Sequence, residues 1–148
     1  MTMTLGSLYE HAAAINVCVK HVMLPTGMQG RYLDDIRTIE LAHQLSGGSE
    51  ICTLAHELGH AIHRHRHSTE QTEREADEIA AQLLITDEAY ARAEKMAENH
   101  SFIARELGVT PPILYAYQRI LDRSRYHRLR ALQVEVREYS FTLTKEIA

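Results

Sequence analysis

Between Ile51 and Ile62 the apolar residues Ile51, Leu54, Ala55, Leu58 and Ile62 recur at helical spacing and define one stripe of a helix. The tail His63, Arg64, His65, Arg66 and His67 reads as its polar end, since basic side chains suit a helix C-terminus, so the helix should run to about His65. Upstream, Leu5, Leu8, Ala12 and Ile15 predict a shorter helix from about Leu5 to Ala14. The period then changes. Ile15, Val17, Val19 and His21 alternate with Asn16, Cys18 and Lys20, as in a strand. Leu24-Pro25-Thr26-Gly27 breaks that strand, Gly27 and Gly30 bracket a turn, and Arg31-Tyr32-Leu33 reads as a short extended piece ending in a turn at Asp34-Asp35. Thr38 to Leu41 is a further strand. It is expected either to line a cleft and pair with an extended peptide or to serve as a plain structural edge.

A loop at Ser46-Gly47-Gly48-Ser49 leads into the central helix, with Ser46 or Ser49 as its cap. Ser68 and Gln71 have capping-box spacing and open the next helix, which continues through Glu73, Ala76, Asp77, Ala80, Leu83 and Leu84. Helix resumes from Ala89 to Asn99. Ile103, Ala104, Leu107, Gly108, Val109 and Leu114 then follow the spacing of a helix-turn-helix, with Gly108 in the turn, Thr110 as cap and Pro111 at the first helical position. Arg119, Arg123, Arg125, Arg128 and Arg130 form a basic run beyond it. Finally Leu132, Val134 and Val136 alternate, and Tyr139, Phe141 and Leu143 alternate in the opposite phase. This predicts a strand-like tail that adds an edge strand or forms a dimer contact.

Length and composition narrow the class. A chain of 148 residues, 45% apolar, has room for one compact domain with a real core. The net charge of −4 selects no partner. Cys18 and Cys52 give neither a disulfide framework nor a C-x-x-C metal site. No segment reads as a signal peptide or a membrane span, so a reducing cytoplasm is the expected home.

The chemistry lies in the central helix. His56-Glu57-Leu58-Gly59-His60 is an instance of H-E-x-x-H. Residues four apart share a helix face, so both imidazoles can reach one zinc ion, and Glu57 beside them can take a proton from the attacking water. Gly59 weakens a helix by about 1 kcal/mol relative to alanine and makes sense where another element packs closely. A catalytic zinc site needs a third protein ligand and an open position. The extended metzincin pattern fails, because His63 stands where its glycine would be and Arg66 where its last histidine would be. His63, His65 and His67 lie too near along the same helix to fold back easily. Among Glu70, Glu73 and Glu75, only Glu73 is joined to a carboxylate four residues on and to the small Ala76–Ala80 face. Glu73 is therefore the expected ligand, and Asp77 the acceptor of a ligand histidine's other ring proton. Loss of Glu75 or Glu78 should cost little. The alternative is that these acids form only a solvated face.

These residues resemble a known family. HELGH, followed by Glu73-Arg74-Glu75-Ala76-Asp77 and Ala80-Ala81-Gln82-Leu83-Leu84, is similar to the ImmA/IrrE metallopeptidases. Gly30-Arg31-Tyr32, the strand from Arg37 to Leu41, and Thr53-Leu54-Ala55 extend the likeness over roughly Ile15 to Leu84. The resemblance implies an α+β, zincin-like fold of the gluzincin kind, with a short sheet packed on the motif helix. It implies zinc held by His56, His60 and Glu73, with Glu57 as catalytic acid/base, and a protein substrate such as a helix-turn-helix repressor. Many relatives have Met-Pro where this chain has Ile85-Thr86, which touches the following turn more than the metal site.

The expected organisation is one metallopeptidase-like domain over residues 1–148. Its catalytic core is 1–88, and 89–148 supplies the helical pair and strand-like tail. Tyr32, Tyr90, His100 and Tyr115 are the candidates to stabilise an oxyanion, none placed by spacing. The rival class is a DNA-binding or repressor-binding regulatory module with a non-catalytic metal site. Direct DNA contact is the weaker expectation, because Pro112, Ile113, Leu114, Tyr115 and Ala116 offer few base-reading side chains and only Tyr117 and Gln118 are obvious readers.

Overall fold

A computed structural model describes the backbone of residues 3–147 and the side chains of residues 3–133. The chain runs α1 (Leu5–Ala14), β1 (Cys18–Val22), β2 (Gly30–Leu33), a 3-10 turn (Asp34–Ile36), β3 (Thr38–Ala42), α2 (Gly47–His63), α3 (Glu70–Leu84), α4 (Asp87–Met96), α5 (His100–Leu107) and α6 (Pro111–Ile147). It is an α+β fold, with a short mixed sheet against helices and a helical C-terminal region. The chain divides into two compact units, Met1–Tyr117 and Gln118–Ala148.

The sheet order is β1-β3-β2, with β3 parallel to β1 and antiparallel to β2. This corrects the expectation of an edge at Thr38–Leu41. β3 is paired on both sides, and its residues Ile39, Leu41 and Ala42 are fully buried. An open edge is carried instead by β2. The Ala42 N–H donates to the Gln29 carbonyl at 2.8 Å. In an antiparallel ladder bonded positions alternate, so Arg31 and Leu33 bond to β3 while Gly30 and Tyr32 turn their backbone groups away from it.

The core of the first unit lies between this sheet and α2. Leu54, Ala55 and Leu58 of the predicted stripe are fully buried, together with Leu8 from α1. Ile62, at the end of the stripe, is exposed. Two glycines permit the packing. A Cβ on Gly30 would lie 2.7 Å from Thr53 Cγ2, and one on Gly59 would lie 2.6 Å from both the Cα and the carbonyl oxygen of Ala76. Gly59 therefore lets the backbones of α2 and α3 meet, as its position in the motif suggested.

Helix ends follow local chemistry. α2 stops at Arg64, whose φ of 57° is left-handed, and the His65 N–H donates to the His60 carbonyl at 3.0 Å. The expected Ser68–Gln71 capping box is corrected: Thr69 caps α3, paired reciprocally with Thr72. Ser68 instead donates its hydroxyl to Glu73 at 2.7 Å. Thr86 caps α4, and Gly108, at φ 66°, ends α5 in the predicted turn.

The reversal after α2 also builds a clasp. Asp34 is buried, and it accepts from the Tyr32 hydroxyl at 2.7 Å and from Arg64 Nε at 2.8 Å. Arg66 adds an ion pair at 3.2 Å. These hydrogen bonds, Arg64's foremost, hold the Asp34 carboxyl down at about 2 despite burial.

The predicted strand-like tail is corrected too, because α6 is helical to Ile147. No glycine or proline follows Pro112, so nothing interrupts the helix. Leu129, Leu132, Val136, Tyr139 and Leu143 fall at three- and four-residue steps, and short alternating runs within them satisfy both periods. The expected edge-strand or dimer contacts of Val134, Val136, Tyr139, Phe141 and Leu143 concern side chains outside those described.

Two outcomes follow. Gly59→Ala should destabilise by roughly 1–3 kcal/mol through overpacking, although alanine favours helix. Gly48→Ala, with no atom within 4 Å of its added Cβ, should be neutral or stabilising; urea denaturation compares them. Asp34 has a native pKa below its unfolded value of about 4, so its contribution is present above that pH and is lost as pH falls towards 2. Stability curves of the parent and Asp34→Asn should therefore converge over that window, and parallel curves would contradict the clasp.

Candidate metal centre

The H-E-x-x-H face of α2 opens into a cleft of about 820 Å³, bordered by residues 25–32, by His65–Ser68, by Glu73 and Asp77 of α3, and by Pro112 and Ile113. His56, Glu57 and His60 all line it. The short connection after Arg64 turns α3 back along α2, and the Gly59–Ala76 contact sets their separation. Glu73 therefore arrives at the level of the two histidines. His56 Nε2 lies 3.1 Å from Glu73 Oε2 and 3.1 Å from His60 Nε2, and His60 Nε2 lies 3.5 Å from Glu73 Oε1.

The donor chemistry fits a cation. Asp77 Oδ1 lies 2.8 Å from His56 Nδ1 and can only accept there, so the His56 proton belongs on Nδ1. Its Nε2 lone pair then points to a place shared with a carboxylate and a second imidazole nitrogen. Such a convergence of acceptors suits a metal ion.

The electrostatics are uneven. Burial pushes Glu57 up to about 7; the charge of Glu73 adds to this, while His56 and the donated Tyr32 backbone N–H oppose it. Glu57 as a residue is only 6% exposed, in line with burial as the main cause. Burial foremost, then the charge of His56, drives His60 down to about 4. His56 is also pulled down by burial, but Asp77, Glu57 and Glu73 together raise it. Glu73 is lowered overall, since the Ser68 hydrogen bond and the two histidines outweigh its burial.

The structure brings together His56, Glu57, His60, Glu73 and Asp77. Of the four oxyanion candidates only Tyr32 borders the cleft, and its hydroxyl is engaged with Asp34 and Arg37. Tyr90 packs against Tyr117, and His100 against Tyr115. Tyr117 is no base reader: it is buried and donates its hydroxyl to Asp87. The first turns of α6 also bury Ile113, Leu114 and Ala116.

Sequence reasoning missed two features. One is the Tyr32 N–H on Glu57, which follows from which residues of β2 face away from β3. The other is His65, whose Nδ1 lies 3.0 Å from His60 Nδ1 and whose Nε2 lies 2.8 Å from Glu75 Oε2. The signal for it was the histidine-rich tail, once the left-handed turn at Arg64 is known. Together with His63, these side chains form a second His/Glu group, with ligand atoms within 4.8 Å of one another.

Among the described residues no helix is long and apolar enough to cross a membrane. A solved Mycobacterium tuberculosis transcriptional regulator shares the fold, with a TM-score of 0.52 at 17% identity over 74% of this chain. This chain spans 39% of that regulator's length. No curated protein matches the sequence. The family model of the IrrE N-terminal-like domain matches residues 11–116, which take in α2, α3 and every residue of the cluster. With the motif helix, the returning acidic helix and the sheet all inside that match, the chain belongs to the family of IrrE N-terminal-like domains.

Proposed function

We propose that this chain is a zinc-dependent endopeptidase acting on a protein substrate, with a helix-turn-helix repressor as the expected class. The observation that supports it most is the convergence of His56 Nε2, His60 Nε2 and the Glu73 carboxylate beside the buried Glu57, at the wall of an open cleft. His56, His60 and Glu73 would hold the metal. Bound there, zinc would supply Lewis acidity to a water and to the scissile carbonyl.

The chain's own residues account for the rest. Glu57, near neutral in its proton affinity, takes a proton from the attacking water and returns it to the leaving amine. The Tyr32 N–H steadies that carboxylate without reaching the substrate. Asp77 fixes the His56 ring. The outer edge of β2 offers the Gly30 backbone groups and the Tyr32 carbonyl to an extended peptide, the role first considered for β3.

Zinc titration against a competing chelator orders the ligands. His56→Ala, His60→Ala and Glu73→Ala should lose most affinity, Asp77→Ala roughly 10–100-fold, and Glu70→Ala none. If Glu73→Ala binds zinc like the parent while Glu70→Ala does not, the third ligand is misassigned. Glu57→Gln should keep zinc and lower cleavage of a peptide library by roughly 10²–10⁴-fold, read by mass spectrometry. Unchanged turnover in that variant would sink the mechanism. Tight duplex binding abolished by Arg123→Ala and Arg125→Ala would favour the regulatory alternative.

A further inference from the structure

We propose that His65 and Glu75 form a positioning pair that fixes which ring nitrogen of His60 faces the metal. The inference rests on the reading of His60 as a ligand.

The pair is built by the end of α2. Arg64 takes the left-handed conformation, the chain reverses, and the His65 N–H closes onto the His60 carbonyl. This reversal lays the His65 ring against His60, with centroids 5.1 Å apart and planes 72° from each other. His65 is nearly covered, its side chain 9% exposed. Glu75 comes from α3, two residues past Glu73, and its other oxygen accepts from Gln71 Nε2 at 2.7 Å.

With both imidazoles neutral, the donors and acceptors have one consistent order. A carboxylate only accepts, so at 2.8 Å the His65 Nε2 donates to Glu75. Nδ1 of that imidazole then carries the lone pair. It faces His60 Nδ1 at 3.0 Å, so His60 must donate there. The His60 proton is placed on Nδ1, and Nε2 presents its lone pair towards Glu73 and His56. Asp77 does the same for His56 directly. The two ligands are thus set by different devices, a carboxylate for one and an imidazole–carboxylate relay for the other.

A second metal ion at His63, His65 and Glu75 is the competing use of these atoms. The geometry disfavours it. The His63 and His65 rings are stacked 10° from parallel at 5.2 Å, so their in-plane lone pairs run side by side and do not converge. Both nitrogens of His65 are also already engaged.

The test uses the full chain with two readouts, zinc affinity by chelator competition and the ring tautomer of His60 by nitrogen-15 NMR without metal. His65→Ala should weaken zinc binding by roughly 10–100-fold and release His60 into a mixture of tautomers. The sequence alone expects little cost from losing Glu75; the contact with His65 instead predicts that Glu75→Ala gives a smaller loss in the same direction, and that Glu75→Gln, which keeps an acceptor oxygen, restores much of it. Glu70→Ala, on the exposed side of α3, should change neither readout. If His65→Ala does not fold, the half-exposed Glu75 carries the test through its two variants. Parental affinity and an unchanged His60 tautomer in the folded variants would overturn the pair. So would a second equivalent of zinc that disappears with His63→Ala. If the parent binds no zinc at these residues, the functional reading fails by itself, and the tautomer measurement still decides the relay.

Discussion

The contact on which the site depends is the backbone approach of α2 and α3 at Gly59 and Ala76. An added Cβ would meet the opposing backbone at 2.6 Å, which no side-chain rotation can relieve. Because the helices touch there, α3 delivers Glu73, Glu75 and Asp77 within hydrogen-bond range of three imidazoles. A separation larger by the width of a methyl group would leave the carboxylates short of His56. The placement of the whole acidic set is therefore a packing result before it is an electrostatic one. Ala76, Ala80 and Ala81 are fully buried, as this close seam requires.

Much of this was legible because it repeats at short range. The motif helix, the small alanines and the spacing of Glu73 and Asp77 are periodic features, and a four-residue interval states which side chains share a face. The order of strands was not legible. Thr38–Ala42 reads the same as an edge or a centre, and only the crossover of the chain makes β3 the middle strand. The tail failed for another reason, since residues from Leu132 onward satisfy a period of two locally and of three and four over a longer run. His65 was hidden by a single left-handed residue. Continued as a helix, the chain would carry His65 five residues beyond His60 and off its face; the turn at Arg64 brings it back.

The same turn joins site and scaffold. Arg64 and Arg66 leave the end of α2 to hold Asp34, which follows β2, while His65 between them turns towards His60. Alternate residues of one short segment thus serve two partners, Asp34 and His60. Asp34 also orients Tyr32, and the Tyr32 backbone reaches Glu57. Glu57 and His60 are consequently tied to one reversal of the chain, although one answers through the sheet and the other through a ring nitrogen.

The two faces of β2 show why so small a sheet suffices. Gly30 has no side chain because Thr53 and Glu57 occupy that space, and this brings the strand directly onto the motif helix. The Tyr32 amide, turned away from β3, then finds its acceptor in Glu57 and not in a further strand. A fourth strand on that side would compete for the amide and cover the cleft. The sheet ends at β2 on a backbone that already has a partner in Glu57, and its remaining outward groups border the cleft in which the imidazoles and carboxylates meet.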